Sequence, residues 1–153
     1  MLVAVLVAGA TALGAPADAA TKDPCKVLTT SEISKAFDDA TVAKGEKGFS
    51  TAVNATCNFE VDAGTTLPSG TVSITVMTTG AKAAYDGIKK FEGYAPLPEV
   101  SKAVYNEQLS VINTLKGSIL LGVQGNFVAT DPIRTVDVKS QLIGLTKTGL
   151  KRV

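Results

Sequence analysis

Residues 71–79 read TVSITVMTT, and this stretch decides the fold. Val72, Ile74 and Val76 alternate with Thr71, Ser73 and Thr75, and β-branched residues dominate. One side of this extended chain is apolar and the other polar, which is the pattern of an antiparallel sheet with one face covered and one face wet. Upstream, residues 56–62 read TCNFEVD and repeat the alternation, with Cys57, Phe59 and Val61 on one face. The Gly- and Pro-containing AGTTLPSG supplies the turn between the two strands. Further upstream, residues 40–44 are expected to form a short edge strand, and GEKGFSTAVN, residues 45–54, a loop.

Downstream, AVYNE, QLSVINT and SILLGVQ have the spacing of a meander of short antiparallel strands, with a hairpin closed near Lys116 and Gly117. Three helical segments surround these strands. Thr29 followed by Glu32 is a capping-box pattern, and Ile33, Ala36 and Phe37 then fall on one face. In AKAAYDGIKKFEGY, Ala84, Ile88 and Phe91 stand at helical spacing, with Gly93 as the terminator. Asp131 and Pro132 predict the start of a helix over residues 133–151, with Val138, Leu142 and Leu145 turned to the core. Together these elements predict an α+β fold in one domain, an antiparallel sheet with helices packed on one face.

The chain has 153 residues, 45% of them hydrophobic and 19% charged, as in an ordinary globular domain. Residues 1–19 read as a signal peptide: an apolar run, a Gly/Pro break, and an Ala17-Asp18-Ala19 site with cleavage expected after Ala19. No Lys or Arg precedes Lys22, so the basic beginning of such a signal is missing, and a start assigned too far downstream would explain this. The run is short for a membrane span and is broken by Gly9, Gly14 and Pro16. The expectation is therefore a secreted or cell-envelope domain over residues 20–153, without stable membrane insertion once the signal is removed.

Export and a count of two cysteines make one internal disulfide, Cys25 to Cys57, the economical reading. A redox thiol usually sits in a CxxC pair, and a metal site needs more ligands than two cysteines without histidine easily supply. No metal and no cofactor is expected.

The stretch DPCKVLTTSEISKAF, the second cysteine in CNF ahead of VSITV, and the later Ala- and Tyr-containing helix resemble an actinobacterial family of exported proteins and lipoproteins catalogued as a domain of unknown function. The resemblance covers most of the chain after the signal. It implies that Cys25 and Cys57 pair, and it carries no activity to any residue. Many members bear a lipid-modified cysteine ahead of the motif, which this chain lacks. Members often have a Gly-rich turn where this chain has LPEVSK.

With no histidine, Ser/His/Asp and Cys/His catalysis are excluded, and there is no GxSxG, Walker or dinucleotide-binding loop. Asp38 and Asp39 are adjacent at a helix end and read as a solvated turn rather than a catalytic pair. The formal charge of +1, without a basic stripe, argues against a nucleic-acid partner. The expectation is a non-enzymatic module that binds a protein or envelope component. The segment KKFEGYAPLPEV is the candidate contact region, because it sets Phe91, Tyr94 and Leu97 among two prolines that stiffen it. In the competing reading Phe91 is core and Tyr94 caps the domain edge. The alternative function is a small carrier that holds an apolar ligand, such as a lipid, between sheet and helices.

Overall fold

The computed structural model describes residues 23–64, 67–130 and 133–153. The expected signal peptide and the Asp131-Pro132 cap lie outside the described residues. Asp23 accepts a hydrogen bond from the Cys25 amide at 3.0 Å and opens a single 3-10 turn, Pro24–Lys26. The first helix, α1 (Thr30–Ala36), has the predicted capping box. The Thr29 amide donates to Glu32 Oε2 at 2.9 Å, and the Glu32 amide donates to Thr29 Oγ1 at 3.3 Å. Asp38 and Asp39, both at positive φ, then turn the chain out of the helix.

The strands follow as β1 (Thr41–Val42), β2 (Glu46–Ser50), β3 (Asn54–Asp62) and β4 (Gly70–Met77). After the helix α2 (Ala81–Ile88) come β5 (Tyr94–Pro96), β6 (Ala103–Asn106), β7 (Val111–Lys116), β8 (Ile119–Thr130) and β9 (Ile133–Thr135). A last helix, α3 (Lys139–Gly149), closes the chain. All the pairings are antiparallel, in the order β1-β3-β4-β8-β7-β6-β5, with β2 also on β3 and β9 on the far end of β8. Lys116 pairs with Ile119, so the β7–β8 hairpin closes on Gly117 and Ser118, with Gly117 at φ 58° as a tight two-residue turn requires.

The chain is thus a single α+β domain built on an antiparallel sheet. Along β4, Val72, Ile74 and Val76 are fully buried, as their alternation predicts. They face α1 and α3 in one core with Phe59 of β3, Val123 and Phe127 of β8, and Ile33, Phe37 and Leu142 from the helices. Phe37 stacks on Phe127 with ring centroids 4.8 Å apart. Each such side chain contributes about 1.5–3 kcal/mol by leaving water, so this layer is the main source of stability.

One element lies elsewhere. Ala81 and Tyr85 of α2 pack with Val104 and Leu120, while Leu121 belongs to the main core. Neighbouring residues of a strand point to opposite faces, so α2 covers the reverse side of the sheet at its β6–β8 portion. The signal for this is the unbroken Ile119-Leu120-Leu121 run, which is apolar on both faces where β4 is apolar on one.

Three local expectations change. Residues 46–50 form β2 rather than loop, because their backbone completes the free edge of β3. Tyr94–Pro96 forms a strand, since its edge position leaves Pro96 no ladder bond to supply outward. The last helix begins at Lys139 rather than near 133, because Ile133–Thr135 extends the sheet beside β8. The Lys139 amide donates to Asp137 Oδ1 at 2.9 Å.

Two ties hold the ends of the chain. Cys25 and Cys57 form the disulfide, S–S 2.09 Å, linking the entry turn to the middle of β3. Arg152 donates to Glu32 Oε1 at 2.6 Å, to Glu32 Oε2 at 2.8 Å and to the Val27 carbonyl at 2.8 Å. That fork holds the Glu32 carboxyl down at about 2, chiefly through the Arg152 hydrogen bonds, with Thr29 adding to the effect.

Candidate binding surface

The three residues expected as a contact region are separated by the fold. Phe91 lies beyond the end of α2 and is 67% exposed, so it is a surface side chain. Tyr94 is half-buried and packs against the α2 cluster, the edge-capping role that the competing reading gave it. Leu97 is 3% exposed and belongs to the main core. Its amide donates to the Ala103 carbonyl at 3.0 Å, which fixes the segment between Pro96 and Pro98 with the leucine turned inward. Leu97 therefore leaves the contact set for a steric reason: the prolines stiffen the segment against the core rather than toward solvent.

The register brings another exposed apolar residue to the same end of the sheet as Phe91. Tyr94 pairs with Asn106, so the turn before β5 and the turn after β6 emerge at the same end of the sheet. The second turn carries Leu109, 53% exposed. Sequence reasoning missed it because QLSVINT reads as strand from Gln108 onward. The available signal was a leucine out of phase with Ile112, among Asn, Glu, Gln and Ser.

The Leu109 turn is fixed by Asn106, which is 4% exposed. Asn106 Oδ1 accepts the Leu109 amide at 2.9 Å, and Gln124 Nε2 donates to the Leu109 carbonyl at 3.0 Å. On the other turn, the Phe91 amide donates to the Ile88 carbonyl at 3.1 Å, and the Phe91 carbonyl accepts from the Tyr94 amide at 3.3 Å. Gly93 turns the chain into β5 at φ 86°, and a Cβ there would come within 2.8 Å of Asn106 Nδ2. Glycine is required both by the conformation and by the approach of Asn106. The result is two large apolar side chains held out on rigid turns.

The surroundings are charged but balanced. Lys90 and Glu92 flank Phe91 and are exposed, and Glu107 precedes Leu109. Lys89 bridges to Asp86 at 3.1 Å and lies over the Tyr85 ring at 5.0 Å. Lys82 bonds the same carboxylate at 2.6 Å, and the Asp86 carboxyl is held below its usual range by Lys82 and then Lys89. A cleft between α2 and β5 is lined by Asp86, Lys89, Lys90, Tyr94, Pro96 and Val104.

A second cleft lies across β6, lined by Tyr105, Glu107, Gln108, Ser110, Val136 and Asp137. Burial pushes the Tyr105 phenol above its usual range, and the charges of Asp137 and Glu107 push it the same way, so the phenol stays protonated. Lys139 lies 5.1 Å from the Tyr105 ring centre, an internal cation on the aromatic face. Ser110, 2% exposed, sits at φ 45° and holds the sharp exit from the Leu109 turn, its carbonyl accepting the Gly125 amide at 3.0 Å.

Among the described residues, no three His, Cys, Asp or Glu side chains gather as a metal ion would need. Nor is any helix among them long and apolar enough to cross a membrane. Comparison with protein-family models, with curated proteins and with solved structures gives no match.

Proposed function

We propose that this protein is an exported, non-enzymatic binding module of the cell envelope or extracellular space, and that it makes contact through the paired turns bearing Phe91 and Leu109. The observation that carries this reading is the fixing of two large, mostly exposed apolar side chains on turns hydrogen-bonded within the domain, Leu109 by buried Asn106 and Phe91 by the backbone of Ile88 and Tyr94. A single exposed apolar side chain on a mobile loop needs no explanation. Two of them on turns held by the domain's own hydrogen bonds mark a surface that is ready before it binds, so little conformational entropy is lost on contact. The disulfide fits an oxidising compartment, and the resemblance of DPCKVLTTSEISKAF to exported actinobacterial proteins supports the same address.

The carrier alternative finds less support. The layer between the sheet and α1/α3 is occupied by Phe37, Phe59, Phe127, Ile33 and Leu142, all 2% exposed or less, where a carrier needs unfilled apolar space.

Co-sedimentation with an envelope fraction from the source cells tests the proposal. The wild-type chain is expected in the pellet, and the Phe91→Ser/Leu109→Ser variant in the supernatant. Burying the two side chains is worth about 3–6 kcal/mol at most, so weak, reversible binding is expected. Equal pelleting of a folded double variant would refute the role of these turns.

A further inference from the structure

We infer that α2 is a hinged lid, which swings off the reverse face of the sheet as one unit about Gly80 and Gly93 and uncovers a row of apolar side chains beneath it.

Two separate apolar clusters lie on the two faces of the sheet. The main core, which includes Leu121, contains no residue of α2. The second cluster is built from Ala81 and Tyr85 of α2 on Val104 and Leu120. Met77 and Leu115 stand on either side of Leu120 in the register, so the three form one apolar row across β4, β8 and β7 under the helix. The next row on that face is Thr75, Gly122 and Asn113, which is polar. Lifting α2 therefore breaks only the smaller cluster and leaves the main core whole.

The polar ties divide in the same way. Among the described residues, every hydrogen bond and ion pair made by residues 81–90 has its partner within residues 80–91. Lys82 and Lys89 both bridge to Asp86, and the Ala84 amide donates to the Gly80 carbonyl at 2.9 Å. The other helices are tied across the domain. Arg152, beyond α3, grips Glu32 of α1, and Lys116 Nζ of β7 donates to the Leu150 carbonyl at 2.6 Å. Only apolar contact holds α2 to the sheet, and Ala81 and Tyr85 are its two buried residues. An element held by so few buried side chains opens at a free energy below that of global unfolding.

The two joints suit such a motion. Gly80 and Gly93 flank the helix at φ 71° and 86°, and glycine populates positive and negative φ alike, so either joint turns without steric cost. A Cβ at Gly80 would meet nothing within 4 Å, so conformation rather than space calls for glycine there. At the second joint the Tyr94 amide reaches the Phe91 carbonyl at 3.3 Å, a long bond that lies within the hinge itself. Clefts run along both flanks of α2, one past Thr78, Gly80 and Ser118 and the other past Tyr94, Pro96 and Val104. The closed state dominates, and in it the Phe91 turn keeps its place.

Adjacent residues of β8 provide the test, because Leu120 lies under α2 and Leu121 in the main core. Both native cysteines are in the disulfide, so Leu120→Cys and Leu121→Cys each give the full-length protein a single free thiol. In native buffer a thiol reagent is expected to modify the L120C protein about a hundredfold faster than the L121C protein, yet far more slowly than an unprotected thiol. Dilute urea is expected to raise the L120C rate little and the L121C rate steeply, since the lid exposes much less surface than global unfolding does. Equal rates with equal urea slopes would overturn the inference. So would modification of L120C at the rate of an unprotected thiol, because the row would then be open without any lid motion. Should a leucine variant fail to fold, Ala81→Cys under α2 and Ala103→Cys in the main core make the same comparison with a smaller change of volume, and the same two outcomes would overturn the lid.

Discussion

Removing the Cys25–Cys57 bond is expected to cost a large share of the stability of this domain. The bond joins residues 32 positions apart. A crosslink closing a loop of that length removes chain entropy from the unfolded state equivalent to about 3.7 kcal/mol at 25 °C. Cys57 is fully buried against Phe59, so replacing it with alanine leaves a small void that adds roughly 1 kcal/mol. The Cys25→Ala/Cys57→Ala variant should therefore lose about 4–5 kcal/mol, against a total of roughly 5–15 kcal/mol for a domain of this kind. Urea unfolding followed by far-ultraviolet circular dichroism reads this directly. With a slope of about 1.5 kcal/mol per molar urea, the midpoint should fall by about 3 M. Reduction of the wild-type protein isolates the crosslink from the void and should account for most of the fall. A loss below about 1 kcal/mol in both experiments would refute the reasoning, because the entry turn would then be held by its own packing.

Other perturbations test separate parts of the structure. Glu32→Gln removes the negative charge that the Arg152 fork grips and one of its two acceptor oxygens, while a Gln side chain can still complete the α1 capping box. Because this group is partly exposed, the expected loss is about 1–2 kcal/mol by chemical denaturation. The Glu32 carboxyl is lowered in the folded state, so its contribution is present above its unfolded value of 4.5 and is lost as pH falls toward about 2. The stability difference between wild type and Glu32→Gln should accordingly shrink across that window and be constant above it. Gly93→Ala forces a side chain into positive φ against Asn106, and a loss of about 2 kcal/mol is expected, with new exchange of the Leu109 amide in hydrogen-exchange spectra. Phe127→Ala removes the ring stacked on Phe37 at the centre of the main core, and should cost about 3–5 kcal/mol in thermal or urea unfolding.

How much of the structure is legible in the sequence varies with the distance over which each feature is determined. The capping box at Thr29 and Glu32, the alternation of β4, the Gly117 turn and the core residues Val138, Leu142 and Leu145 are set by residues a few positions apart. The fold follows from them. β2 is not legible because GEKGFSTAVN has no alternation of its own, and only the free edge of β3 makes residues 46–50 a strand. The start of α3 is misplaced for the same reason, since Asp131-Pro132 is a good local helix signal and the pairing of Ile133–Thr135 with β8 is a remote one. The candidate site depends most on remote partners. Phe91 is visible as an aromatic in a stiff segment, but whether Leu97 joins it depends on which way the prolines aim the chain. Leu109 comes to the same end of the sheet as Phe91 only through the Tyr94–Asn106 register.

The central claim is that the turns of Phe91 and Leu109 form the contact surface, and hydrogen–deuterium exchange with and without the envelope fraction tests it most directly. Added protection at residues 89–93 and 107–110, with none at residues 46–50 on the opposite edge, is the result this account predicts. Protection confined to β2, or to the open face of β3 and β4, would contradict it.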